Sequence, residues 1–463
     1  MNYAGKKVLI IGMGKTGRAV FSFLLSRSAF ITVNDVKRPE DETFFDGEKV
    51  STHWGNHDLD PTAFDFIVVS PGVDSKLPLL LKAQEMNVPI LSEIELAVKN
   101  AHFPLVAVTG TNGKTTTVSL IAHLLKEAGK KVVLVGNVGD PLINYVEKVG
   151  EIDFFVLEIS SFQMEFSPSL EPLVSIWLNL APDHLDRHSF EEYAHLKARL
   201  LIQTKTAGTI IYNAADENLL RFLAPIQEQK KQVNLVPYTL EVSDSQHFSF
   251  HLFNKKHLTF SASNLKIRGK HNYENIMAAC LALEACGIDD EDFLHDAVCS
   301  FKGLEHRLQY VGTLNAVSYY NDSKATNVAA AVAALQSFSH KLVLIAGGIP
   351  KEDDFSPLVS LVKDKVSHLV LLGTSAKIIA DQLGKHTVLH MASSMDEAVK
   401  VAYSLAFPGE SVLLSPACAS FDLFAHYAER GNSFKAAFLN LEKEIKHQQV
   451  CSSREKSTAC SRS

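Results

Sequence analysis

An α/β protein of three domains is what this sequence predicts: a Rossmann-like N-terminal domain, a central domain of the P-loop ATPase type built on a parallel sheet, and a C-terminal Rossmann-like α/β domain. Three observations support this. The chain has 463 residues, too many for one ordinary core. Short apolar runs alternate with helical patterns, and the alternation restarts three times, as parallel sheets flanked by helices require. Two glycine-rich turns each follow an apolar run and open a helical pattern, which is how such sheets hold phosphate groups.

The first block, 1–100, gives strands at 8–11, 30–34 and 66–70, a helix from Thr16, and the turn Pro71-Gly72. The second, 101–302, starts after Phe103-Pro104 and holds the second glycine-rich turn, the run 154–157 ending in Glu158, the run 173–180, and a hairpin of 248–253 against 257–261. The third, 303–449, gives strands at 341–346, 368–372 and 411–414. The segment 450–463 is rich in Ser, Lys and Arg and has too few apolar residues to pack, so it reads as a disordered tail.

Composition narrows the class. A formal charge of −7, from 45 basic and 52 acidic residues, argues against a general binder of nucleic acid or membrane surfaces. No apolar run approaches the roughly 20 residues that span a bilayer, and the start shows no signal-peptide pattern, so a cytoplasmic protein is expected. The cysteines at 280, 286, 299, 418, 451 and 460 lack the close pairs of a zinc site and the density of a disulfide scaffold.

The chemistry concentrates at strand ends. Gly110-Thr111-Asn112-Gly113-Lys114-Thr115-Thr116-Thr117 follows the run 105–108. Its backbone N–H groups and helix dipole would face phosphate, Lys114 would reach the terminal phosphates, and the Thr115 hydroxyl would ligate Mg²⁺. Val108 stands where the common spacing has its first glycine, so the loop departs from the usual form. Glu158 beside that loop suits a hard cation such as Mg²⁺. His184 and His188 have no cysteine or third histidine near them, which weakens zinc. Arg307, after Lys302-Gly303, is a candidate phosphate contact because a guanidinium matches phosphate with two parallel hydrogen bonds. Gly12-Met13-Gly14-Lys15-Thr16-Gly17, with Asp35 closing the next strand, fits a dinucleotide fingerprint and alone would support an NAD-dependent oxidoreductase. Any nucleoside diphosphate satisfies the same glycines.

Several of these strings resemble the Mur ligase superfamily, ATP-dependent amide-forming enzymes that include the folylpolyglutamate synthases. The likeness rests on Gly110 to Thr116, on Glu158 followed by Ser160-Ser161-Phe162-Gln163, on Asn179 to Asp186, and on His271-Asn272-Tyr273-Glu274-Asn275. It extends to Asn321-Asp322-Ser323-Lys324-Ala325-Thr326-Asn327 and Ser415 to Ser420, so only the tail lies outside it. The resemblance implies that Thr16, Asp35, Pro71, Gly72 and Asn137 hold a UDP-linked sugar, and that Gly110, Thr111, Asn112, Gly113, Lys114, Thr115, Thr116, Asn272, Asn275, Asp322 and Lys324 serve ATP. It makes Glu158 and His184 Mg²⁺ ligands, and Lys197 a lysine carbamylated by CO₂ that supports the metal site. The nearest branch joins D-glutamate to UDP-N-acetylmuramoyl-L-alanine through an acyl phosphate, in peptidoglycan synthesis, as a monomer. Thr326, Lys351, Ser420 and Phe421 would then hold D-glutamate. A sister ligase with another amino acid or acceptor is the alternative within the family.

Overall fold

The structure, a computed structural model, describes residues 2–39, 43–45, 47–183, 187–229, 232–242, 247–267, 269–350 and 353–460, and only the backbone at 229, 241, 242 and 448–460. The chain forms two compact units, Met1–Ala262 with His271–Val298, and Ser263–Lys270 with Cys299–Ser463.

Two parallel sheets lie in the first unit. One runs in the order Val50–Trp54, Phe30–Asp35, Lys7–Ile11, Phe66–Val69, Ile90–Ser92. The other runs Asn234–Tyr238, Thr209–Asn213, Val174–Trp177, Leu105–Thr109, Phe154–Glu158, Val132–Gly136. Their inner strands read as unbroken apolar runs because helices cover both faces, and Leu105–Thr109 is buried at every position. The expected hairpin is present, with His247–His251 pairing antiparallel to His257–Ser261 and a short strand, Glu241–Val242, added at its edge.

Glycines shape the strand ends that matter here. Gly12 has φ +89°, and a Cβ on Gly17 would sit 1.9 Å from the Gly12 carbonyl oxygen, so helix Lys15–Leu25 can start against this turn only with glycine there. Sequence patterning placed these elements because apolar alternation and glycine punctuation coincide.

The first sheet joins the central one through helix Glu93–Val98. Ser92 caps it by accepting from the Glu95 N–H (3.0 Å) and also meets Ser167 Oγ at 2.6 Å. Glu95 accepts from the Ser169 N–H at 2.9 Å, and Glu93 from the Ile143 N–H at 2.7 Å. Both carboxylates are buried. Each ties one sheet's flank to the other's.

The second unit holds a sheet in the order Gln309–Leu314, Val317–Asn321, Ser411–Leu414, Leu342–Ala346, Val366–Leu371, Val388–Met391, with only the first pair antiparallel. Its last helix is Tyr427–Cys460. The backbone is thus helical through most of 450–463, where composition suggests disorder; Glu, Lys and Ala favour helix even where nothing apolar can pack. Residues 461–463 lie outside the described residues.

Burial raises the Glu93 carboxyl from its ordinary value of about 4.5 to about 7, although the Ile143 and Leu142 N–H groups favour the charged form. With the folded pKa above the unfolded one, the native state holds more protons between about pH 4.5 and 7. The associated stability is therefore full below that window and lost as pH rises through it. Glu93→Gln keeps an acceptor for Ile143 without the ionisation. Thermal melts should show wild type losing up to about 3 kcal/mol relative to Glu93→Gln between pH 5 and 8. A constant difference across that range would contradict the assignment.

Candidate active site

The central loop is held in place by hydrogen bonds from its neighbours. Gly110 and Gly113 have φ +154° and +82°, conformations that glycine takes without a Cβ clash. Asn179, just past strand Val174–Trp177, accepts from the Asn112 N–H (2.8 Å) and returns a bond to the Asn112 carbonyl (3.1 Å). Thr111 Oγ1 donates to the Ala181 carbonyl at 3.1 Å and accepts from its N–H at 2.9 Å. From helix Lys270–Ala285, Asn275 supports the turn, since a Cβ on Gly113 would meet its Oδ1 at 2.4 Å, and it accepts from Thr117 Oγ1 at 3.1 Å. Asn272 accepts from Asn275 Nδ2 at 3.1 Å, so the expected i, i+3 pair forms and stands against the loop rather than capping the helix.

Lys114 opens helix Lys114–Glu127, followed by Thr115 and Thr116 in its first turn. Its ammonium donates to the Gly110 and Thr111 carbonyls, both at 2.8 Å. Beneath the same loop Lys197, 1 % exposed, donates to Gly110 O at 2.7 Å and lies over the Tyr193 ring at 4.4 Å. Burial first, and then the Lys114 charge, pushes the Lys197 amine well below its ordinary pKa, with Asp183 and Glu158 opposing. The Tyr193 hydroxyl reaches Thr111 Oγ1 at 3.3 Å, and burial raises it to about 12.

Glu158 ends its strand in register with Val108 on one side and Gly136 on the other. It is 2 % exposed. Its Oε1 accepts from Asn137 Nδ2 at 2.7 Å, and its Oε2 has no hydrogen-bond partner among the described residues. A buried carboxylate oxygen left unmatched costs free energy unless a cation meets it, so the donor set fits a hard divalent ion. Asn137 stands beside Glu158 in the structure. Its amide serves Glu158, and it is not among the residues that line the first-sheet cavity. His184 lies outside the described residues.

That cavity, about 520 Å³, gathers four residues that sequence reasoning grouped, Thr16, Asp35, Pro71 and Gly72, with Gly12, Lys15 and His57. Asp35 supports the turn itself, accepting from the Met13 N–H at 2.7 Å.

In the second unit Asp322 follows strand Val317–Asn321 and accepts from the Leu308 N–H (3.1 Å) and Ser415 Oγ (2.9 Å). Burial raises it to about 7. Lys324 lies over the Tyr427 ring at 4.0 Å, Thr326 is half-buried, and Arg307 is exposed. Ser420 is buried and Phe421 is 69 % exposed. Lys351 lies outside the described residues.

Sequence reasoning missed the braces. Asn179 was visible as the first residue of its motif, and Tyr193 stands four residues before Lys197 on one helix face. Arg430 gave no signal. Inside the final helix it reads as a surface cation, yet it is 2 % exposed and donates to Ser323 Oγ (2.9 Å) and Ser323 O (2.8 Å).

Comparison with known proteins identifies the family. Three family models match in succession: the N-terminal domain of MurD-like Mur ligases over residues 6–92, the Mur ligase middle domain over 108–283, and the Mur ligase glutamate ligase domain over 306–418. The UDP-N-acetylmuramoylalanine–D-glutamate ligase of Citrifermentans bemidjiense is 40% identical over 453 residues, covering 94% of this chain and 98% of that protein. The enzyme of the same name from Pelotomaculum thermopropionicum is 38% identical over 464 residues, covering 96% and 99%. Among solved structures, MurF of Acinetobacter baumannii superposes with a TM-score of 0.58 at 17% identity, covering 84% of this chain and 89% of that one. The UDP-N-acetylmuramate–alanine ligase MurC of Thermotoga maritima gives 0.55 at 20% identity, covering 94% and 99%. At those identities the structures speak for the fold alone, and the oxidoreductase reading of the first glycine-rich turn falls with the relatives. On the three successive models and the near-full-length identity, the chain belongs to the Mur ligase family of ATP-dependent amide-forming ligases.

Proposed function

We propose that this enzyme joins D-glutamate to UDP-N-acetylmuramoyl-L-alanine, a step of peptidoglycan precursor synthesis. The observation that carries the reading is the likeness, over nearly the whole chain, to ligases named for that reaction. The cavity beside Thr16, Asp35, Pro71 and Gly72 would take the uridine diphosphate of the acceptor. Around the central loop, Gly110 to Thr116, Asn272 and Asn275 would bind ATP, and in the second unit Arg307, Asp322 and Lys324 would serve the same nucleotide. Thr326, Lys351, Ser420 and Phe421 would hold D-glutamate.

The chemistry follows from charge. The acceptor carboxylate attacks the γ-phosphorus of ATP to give an acyl phosphate and ADP; the amine of D-glutamate then attacks the acyl carbon, and phosphate leaves. Two anions must approach, so the residues supply positive potential: Lys114 at the loop, and outward-facing N–H groups at a helix N-terminus. Mg²⁺, held by Thr115, Glu158 and His184, would neutralise phosphate charge when bound. Lys197 fits carbamylation because CO₂ adds only to an unprotonated amine. Its burial and the nearby Lys114 charge favour that form, and the carbamate so made is an anion facing the metal site.

Phosphate release should require the UDP-linked acceptor and D-glutamate together. A panel of amino acids with UDP-linked and folate acceptors checks this, and turnover indifferent to the amino acid would refute the proposed substrate pair. Lys197→Ala should lower kcat by about 100-fold or more, and formate or acetate should restore part of it, since the missing anion is small. For the wild type, ¹³C NMR with labelled bicarbonate should show a carbamate signal that Lys197→Ala lacks. Unchanged activity without a signal would make Lys197 a purely structural amine.

A further inference from the structure

Lys15 is not used by the reading above, although it lines the first cavity. Its ammonium points away along the turn, donating to the Gly139 carbonyl at 2.8 Å and to Asp140 Oδ1 at 2.7 Å. Those acceptors end the segment 136–140, whose other end carries Asn137. The segment is a closed hook. Gly136 N–H donates to the Asp140 carbonyl (3.3 Å), Asp140 N–H to the Leu134 carbonyl (3.1 Å), and Asn137 N–H to the Glu158 carbonyl (2.9 Å). Gly136 and Gly139, at φ +96° and +85°, permit the hook, and a Cβ on Gly139 would meet Leu134 O at 2.2 Å. Tyr145 adds a second clamp, its hydroxyl donating to Asp140 Oδ2 at 2.9 Å.

A lone exposed ion pair would stabilise little, and both Lys15 and Asp140 are half or more exposed. This pair differs in two ways. Lys15 bonds a backbone carbonyl as well as the carboxylate, and Asp140 is already fixed by Tyr145. Both ties hold the 139–140 end of the short closed hook, which steadies Asn137 two residues before Gly139, and the Asn137 amide fixes Glu158 Oε1 and so sets the direction in which Oε2 faces.

We propose that Lys15 is a positioning residue of the ligase, a latch that runs from the wall of the nucleoside-diphosphate cavity through the 136–140 hook and Asn137 to the orientation of Glu158. The proposal rests on Glu158 being a metal ligand. It places a physical link between the acceptor cavity and the phosphate loop within one compact unit. Lys15 lines the cavity while its ammonium holds the hook, so a diphosphate bound there lies beside the latch, and acceptor binding and metal binding are coupled through it.

Backbone hydrogen exchange over 134–140 in the full chain tests the latch without using activity. Lys15→Met and Asp140→Asn should each raise exchange there by about three- to fivefold, because the rate follows the local opening equilibrium, while Lys15→Arg should stay close to wild type. The Mg²⁺ concentration giving half-maximal rate should rise in the same two variants, with the KM for D-glutamate unchanged. Asp140 does not line the cavity, so its variant separates the latch from simple diphosphate binding by Lys15. Unchanged exchange in both variants, or an effect confined to the acceptor KM of Lys15→Met, overturns the proposal. Wild-type Mg²⁺ dependence in Glu158→Gln would instead refute the ligand role of Glu158, and the exchange data would still decide whether the latch exists.

Discussion

The bond from the buried Lys197 amine to the Gly110 carbonyl is the constraint around which the central site is arranged. Two lysines share that one oxygen, Lys114 from above at 2.8 Å and Lys197 from below at 2.7 Å. Burial first, and then the charge of Lys114, lowers the Lys197 amine well below its ordinary range, so the buried amine is pushed toward its neutral form. This explains why helix Phe190–Ile202 starts so firmly. Ser189 and Glu192 form a complete capping box there, and the helix can then present Tyr193 and Lys197 to the underside of the loop. Asn179 takes the Thr111 and Asn112 N–H groups, so phosphate would be met at the N-terminus of helix Lys114–Glu127.

Much of this was legible in the sequence because strand ends carry the chemistry. An apolar run stopped by a glycine or a carboxylate marks both an element boundary and a ligand edge, and Gly110, Glu158 and Asp322 all declared themselves that way. Thr16, Asp35, Pro71 and Gly72, far apart in the chain, converge because three parallel strands end on one side. What was hidden is polar bracing. Which carboxylate an amide such as Asn137 braces depends on a hook of a few residues, and no periodicity reports that.

The second unit solves its own version of the edge problem. Gly347 and Gly348 have φ +121° and +136°, and a Cβ on either would meet a carbonyl oxygen, of Leu372 at 2.0 Å or of Ala419 at 2.1 Å. Three strand-end turns therefore press together with backbone against backbone. Arg430 fills the space behind them, bonded to Ser323, whose hydroxyl in turn donates to the Tyr427 carbonyl at 2.7 Å. Burial lowers the guanidinium only to about 10, so it stays charged at neutral pH. A buried charge with several carbonyl and hydroxyl partners costs less than an isolated one, and losing a partner would cost more than the bond itself.

The two units divide the recognition problem in a way their chemistry enforces. Contacts at the phosphate loop are backbone N–H groups and a lysine, which respond to charge and position and are blind to the identity of an amine. Discrimination between amino acids must come from groups with shape and direction. In the function proposed, that task falls to Thr326, Ser420 and Phe421 of the second unit, and the Phe421 ring is 69 % exposed. On that proposal, the energy to choose one amine over another is held apart from the energy that activates the carboxylate. Variation among ligases that share this phosphate loop can then change the amine while leaving Lys114, Glu158 and Lys197 in place.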